Sequence, residues 1–182
     1  DSVAFQVYNN LREDAASIAA VNETKGQVVF AENQVAETYF YSVSAGVSAG
    51  IKEVWFAKKD RSYLMPCVLL GDSRKTLDLQ KEADFSKFLK DETKSYDANS
   101  PWYRWRTTVS EKQLQQFISE KIKSRYEKNP TQIQTKQKDG TFFSTGQTEL
   151  GEIKKVEILK RGKSGVAVMA QITGSKNTLR IY

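Results

Sequence analysis

Ile153-Lys-Lys-Val-Glu-Ile-Leu-Lys160, Val166-Ala-Val-Met-Ala-Gln-Ile-Thr173 and Thr178-Leu-Arg-Ile-Tyr182 are three short runs rich in Val and Ile. Their length and β-branched content predict strands. Arg161–Gly165 and Gly174–Asn177 lie between them and supply the Gly, Ser and Asn that turns favour. Upstream, residues 127–148 are polar and rich in Thr, Gln and Lys, with Pro130 and Asp139-Gly140. They predict a polar loop, an insertion or a loose hairpin. Before them, Ser110-Glu-Lys-Gln113 matches a capping box, and Leu114, Phe117, Ile118 and Ile122 follow at helical spacing. A helix packed against antiparallel strands is the core expectation.

Toward the N-terminus the signals shorten. Trp102–Val109 reads as a strand after the Ser100-Pro101 break, and Asp84 reads as the cap of a helix over Phe85–Thr93 with Phe85, Phe88 and Leu89 facing inward. Val54-Trp55-Phe56 and Tyr63–Leu70 resemble strands. Gln27–Ala31 and Val35–Ser44 form a predicted hairpin across Glu32-Asn33-Gln34. Glu13 and Asp14 lead a short helix reaching Asn22, with Ala15, Ile18, Ala19 and Asn22 on one face; Gly26 breaks the chain after it. Asp1–Tyr8 alternates as a half-buried strand does. The class is therefore α+β: a strand-rich, curved antiparallel sheet with two or three packed helices. A single domain over residues 1–182 accommodates all of it.

Composition narrows the chemistry. There is no histidine and one cysteine, Cys67, among 182 residues. That removes every mechanism built on a catalytic or metal-binding imidazole, and any internal disulfide. Acid–base work falls to carboxylates, Lys, Tyr or Cys67. P-loop, GxGxxG, EF-hand and zinc-ribbon spacings are missing, and no metal or other cofactor is expected. No run of 18 apolar residues spans a membrane. Charge is uneven: residues 1–100 hold 12 Lys/Arg against 15 Asp/Glu, net −3, and residues 101–182 hold 16 against 7, net +9. The basic half suits either an anionic partner or a solubilising lysine surface.

Two stretches suit ligand contact. Ser42 and Ser44 share one face of a strand end beside Gly46, where hydroxyls can bond a polar ligand or local backbone. On a strand, Trp102, Arg104 and Arg106 share one face, and Tyr103 and Trp105 the other. One face is then a cationic aromatic platform for sugars and carboxylates, unless both tryptophans are core.

Seven motifs stand in one order: Gln6-Val-Tyr8; Ala19–Val28; Tyr41-Ser-Val-Ser-Ala-Gly46; Val54-Trp55; Ser62-Tyr-Leu64; Ser100-Pro-Trp-Tyr-Arg-Trp105 with Ser110–Leu114; and Leu150-Gly-Glu-Ile153. Together they resemble the SpoIID/LytB family, named for stage II sporulation protein D and the amidase enhancer of bacterial wall turnover. The resemblance implies an exported or membrane-anchored protein at the cell wall, with peptidoglycan glycan strands and other wall-remodelling proteins as partners. It implies no nucleic acid, and a membrane only through an anchor outside this chain. In sporulation members it implies a lytic transglycosylase that leaves 1,6-anhydro-muramic acid ends. One carboxyl group can serve that reaction, because the sugar's own 6-hydroxyl is the nucleophile; one glutamate first protonates the leaving oxygen and then accepts the hydroxyl proton.

The resemblance implies substrate-binding roles for Gln6, Tyr8, Ser42, Ser44, Gly46 and Trp55; Tyr41, Trp102, Tyr103 and Arg104 are added as further contacts. The family's catalytic glutamate belongs to a motif before Gln6-Val-Tyr8, so the expectation is a truncated domain that is inactive alone. Ala4 and Phe5 replace the Cys and His of some members, and Tyr41 and Ala45 replace a His and a Gly. That drift is compatible with the alternative, a non-catalytic wall-binding or amidase-enhancing module. Glu53 and Glu37 are the internal carboxylates able to substitute as acid. A basic nucleic-acid-binding domain is the third possibility.

Overall fold

A computed structural model describes residues 12–55, 59–70, 77–91 and 95–182. The expected strand over Asp1–Tyr8, with Gln6 and Tyr8, lies outside the described residues, as does Phe56. The chain divides into two units, Asp1–Phe40 and Tyr41–Tyr182.

The first unit holds helix α1 (Ala15–Glu23) and strands β1 (Phe30–Ala31) and β2 (Gln34–Val35). Asp14 caps α1: its carboxylate accepts from the Ser17 amide at 3.0 Å and the Ser17 hydroxyl at 2.6 Å. No residue of α1 is buried, so the face expected from Ala15 and Ile18 is not covered. The hairpin is tighter than expected. Its turn is Glu32-Asn33, with φ of 53° and 60°, and the pairing is two residues long, Phe30 with Val35 and Ala31 with Gln34. Two left-handed residues match the natural strand twist, and Asn tolerates that conformation well.

The second unit holds α2 (Ile51–Val54), α3 (Glu82–Lys90), α4 (Glu111–Lys128), β3 (Ile133–Lys136), β4 (Phe142–Phe143), β5 (Ile153–Arg161), β6 (Ala167–Gly174) and β7 (Thr178–Ile181). The five strands form one sheet in the order β4-β3-β7-β6-β5, every pair antiparallel. The three strands expected at the end of the sequence are there. In the stretch 127–148, expected as a polar loop, an insertion or a loose hairpin, α4 ends at Lys128 and the chain forms the β3–β4 hairpin. It places Ile133 and Thr135 at 0% and 1% exposure in the heart of the sheet. The hydroxyl of Thr135 is satisfied by the Gln147 carbonyl at 2.8 Å, which is how a polar residue occupies the core. The sheet is not strongly curled, unlike the curved sheet expected. Strong curling accompanies closure of a sheet on itself, and this sheet stays open, with the two-residue β4 at one edge and the nine-residue β5 at the other.

Helix α4 begins as predicted. The Ser110 hydroxyl accepts from the Gln113 amide at 3.3 Å, and the Gln113 side chain accepts from the Ser110 amide at 2.9 Å. Ile122 then buries against Ile133, Leu150, Ile172 and Leu179, with Ile118 and Tyr126 packed beside them. Each such aliphatic side chain contributes about 1.5–3 kcal/mol by leaving water. Phe117 faces solvent.

Helix α3 starts at Glu82, two residues before the expected cap, so Asp84 lies in its first turn, where its charge suits the helix dipole. Phe88 is buried, Phe85 half-buried and Leu89 exposed rather than inward. Arg161 ties α3 to the β5–β6 hairpin: it pairs with Glu82 at 2.6 Å, and its guanidinium lies 3.8 Å from the centre of the Phe85 ring.

Candidate functional site

Tyr41–Gly46 is held by its second serine. The Ser44 amide and hydroxyl both donate to Oδ2 of Asp97, at 2.7 and 2.6 Å, and the Gly46 amide donates to the Ser44 hydroxyl at 3.0 Å. These bonds hold the Asp97 carboxyl below its ordinary range; the Ser44 hydroxyl is the larger cause and its amide the next. Gly46 has φ +101°, and a Cβ there would sit 2.6 Å from the Leu70 side chain. Only glycine fits both conditions. Beyond it, Val47 bridges Val68 and Leu70 bridges Ser95, so three short segments are stitched together without a regular strand.

Arg104 closes the same junction from the other side. Its Nε donates to the Ala45 carbonyl at 3.2 Å. Its Nη1 donates to the Phe88 carbonyl at 2.7 Å and to the Asp91 carbonyl. Phe88 and Asp91 mark the C-terminal end of α3, where carbonyls lack helical partners and a cation is favoured. The guanidinium also stacks on the rings of Phe88 and Tyr103, with 4.3 and 4.9 Å to their centroids. Arg104 achieves this with φ +49°, a conformation bulky residues rarely adopt. Its Nη2 and the Tyr103 hydroxyl are buried without a hydrogen-bond partner among the described residues.

This geometry replaces the strand expected over Trp102–Val109. Pro101–Arg104 is a turn, and the alternation of faces does not hold. Tyr103 and Arg104 point inward together, while Trp102 and Trp105 are 69% and 64% exposed. Neither tryptophan is core. Val54-Trp55 is also not a strand: Val54 ends α2 and Trp55 caps it. Tyr63–Leu70 is irregular apart from the bridges at Val68 and Leu70.

The structure thus gathers Ser44, Gly46, Tyr103 and Arg104 at one junction. Tyr41 and Ser42, both exposed, belong to the first of its segments, and Trp102 belongs to the second. Trp55 is carried by α2 instead. Asp97 was not singled out by sequence reasoning. Its signal was faint: an acidic residue in the turn-prone run Tyr96-Asp-Ala-Asn-Ser-Pro101.

Glu53 is engaged elsewhere. Its carboxylate accepts from the Gly50 amide at 3.1 Å, from the Ser164 amide at 3.3 Å and from the Ser164 hydroxyl. It pins α2 to the β5–β6 turn, a role quite different from the internal acid considered for it. Glu37 lies exposed in the first unit. Among the described residues, no three of Cys, Asp and Glu gather as a metal site, and no helix is long and apolar enough to cross a membrane.

Residues 49–141 match the model of a family described as a domain of unknown function, DUF8618. That span begins just after the Ser44 loop and includes α2, α3, α4, the Arg104 turn and β3. No curated protein and no solved structure matches the chain.

Proposed function

The chain belongs to the DUF8618 family, and we propose that it is a peptidoglycan-handling module, the glycan-contacting part of a cell-wall lytic transglycosylase. The observation that supports this reading is the junction at Ser44, Asp97 and Arg104. It joins two of the segments that carry the SpoIID/LytB resemblance, Tyr41–Gly46 and Ser100–Trp105, and it leaves aromatic rings open beside them. Tyr41, Tyr96, Trp102 and Trp105 are all exposed. Sugar rings stack on such faces at little conformational cost, and the Ser42 hydroxyl adds a donor and acceptor for polar groups. The acid that cleaves the glycosidic bond is assigned by the resemblance to a glutamate outside this chain.

A second reading is a non-catalytic wall-binding or amidase-enhancing module. The engagement of Glu53 with Gly50 and Ser164 favours it, because three hydrogen bonds already commit that carboxylate to holding α2 against the β5–β6 turn. Incubating the chain with intact and stem-peptide-stripped peptidoglycan tests both. Sedimentation with the glycan, weakened at least tenfold by Trp102→Ala, and no 1,6-anhydro ends by mass spectrometry, is the expected result. Anhydro ends formed by this chain alone would overturn the assignment of the acid. No sedimentation with either material would overturn both readings.

A further inference from the structure

Beyond the glycan reading, and independent of it, we propose that the turn end of the sheet is a binding site for a phosphodiester-linked polyanion of the alditol-phosphate type. A hollow of about 800 Å³ opens there, lined by Lys136, Lys138, Lys176 and Asp139, with Gln147 and Asn177 among the uncharged groups. Its position follows from topology. β3 pairs with β7, Thr135 opposite Leu179, so the β3–β4 turn and the β6–β7 turn emerge side by side.

Both turns are fixed. The Gln137 amide donates to the Thr141 carbonyl at 2.8 Å, and the Asp139 carboxylate accepts from the Thr141 amide and hydroxyl at 3.0 and 2.6 Å. Across the hollow, the Gly174 amide donates to the Asn177 carbonyl at 2.9 Å, and the Lys176 amide to the Leu150 carbonyl at 2.9 Å. The lysines therefore stand on anchored backbone. Three lysines and one carboxylate line the hollow, and a second carboxylate, Glu149, stands beside it. Asp139 is tied into its own turn, and Lys176 is held by Glu149 at 2.6 Å. Among the described residues, Lys136 and Lys138 have no carboxylate partner.

The chemistry of the lining selects the ligand. Every side chain is polar or absent, which disfavours an apolar small molecule. The cations are lysines, compact point charges that meet phosphate oxygens without the bidentate geometry an arginine fork imposes on phosphate or carboxylate. No aromatic ring lines it, so nucleobases find no stacking platform. A flexible phosphate chain without bases fits what remains, in the half of the sequence that carries net +9.

The test is fluorescence titration of the full chain with labelled poly(glycerol phosphate) from 50 to 300 mM salt, beside inorganic phosphate, polyglutamate and single-stranded DNA. Expected are preferential binding of poly(glycerol phosphate), at least tenfold loss in the Lys136→Gln/Lys138→Gln double variant, and a salt slope shallower by about 1–2. Lys136→Arg/Lys138→Arg should retain most of the binding, which separates lost charge from lost folding. Equal binding of polyglutamate would overturn the phosphate assignment, and tighter binding of DNA would overturn the absence of base recognition. An unchanged double variant, or binding of inorganic phosphate only, would overturn the site. Sedimentation with peptidoglycan is a separate readout, so either proposal can fail alone.

Discussion

Ser44 gives both its amide hydrogen and its hydroxyl hydrogen to one oxygen of Asp97, at 2.7 and 2.6 Å, across 53 positions of sequence. A carboxylate that accepts two hydrogen bonds is favoured in its charged form. Its folded pKa lies below the unfolded one. The stabilisation is therefore fully present above the ordinary value of 3.8 and disappears as pH falls through the lowered folded value. We expect the Ser44 amide resonance to stay constant from pH 7 down to about 4 and to move only in stronger acid. Ser44→Ala should bring the Asp97 titration back toward 3.8, read from its carboxyl carbon by NMR.

Arg104→Lys should cost about 2–4 kcal/mol, measured by urea unfolding. A lysine ammonium has no planar fork, so it cannot span these carbonyls and stack on the Phe88 and Tyr103 rings at once. The Ala45, Phe88 and Asp91 carbonyls would lose their shared partner. Amide exchange should accelerate in the last turn of α3 and in Tyr41–Gly46 while α4 stays protected. Uniform acceleration would mean that Arg104 supports the whole fold and not this junction.

Leu179→Ala should cost about 2–5 kcal/mol, because Leu179 is wholly buried and its removal leaves a cavity against Ile133 and Ile172. Phe117→Ala, on the exposed face of α4, should shift stability by under about 0.5 kcal/mol. Thermal unfolding of the pair checks that the core lies between the sheet and the Ile122 side of α4, and not on its Phe117 side.

Ser110→Ala removes the acceptor for the Gln113 amide and should cost about 1 kcal/mol. The Ser110→Asp variant should recover most of it, since Asp is an equally good cap and suits the helix dipole. Recovery distinguishes capping from any other use of that hydroxyl.

The readable parts of the sequence were those whose cause is local. The Ser110 capping box, the spacing of Leu114, Ile118 and Ile122, and the three strands after Ile153 all report on their own neighbours along the chain. Residues 41–106 were harder, because distant groups shape them. Trp102-Tyr-Arg-Trp105 alternates as a strand would, yet Arg104 is drawn into a left-handed turn by carbonyls at Ala45, Phe88 and Asp91. No period in the sequence records such partners. Val54 looks like a strand residue beside Trp55, but the bonds from Gly50 and Ser164 to Glu53 wind the segment into one helical turn. The polar stretch 127–148 hid a core strand because its two inward residues, Ile133 and Thr135, are a single aliphatic and a threonine. Asp97 was overlooked for the same reason that Ser44 was noticed: a serine beside glycine suggests a site, whereas an aspartate in a turn suggests solvent.

The sheet order places β7, the last of the five strands to be synthesised, in the middle of the sheet. Until Thr178–Ile181 arrives, the β5–β6 hairpin and the β3–β4 hairpin have no common edge, and Ile133 lacks the partner that covers it. A ribosome-bound intermediate would thus hold two separate ribbons with unpaired edges, the state most exposed to strand exchange with other chains. Completion is a single late event. The final strand enters the gap and turns two vulnerable hairpins into one sheet.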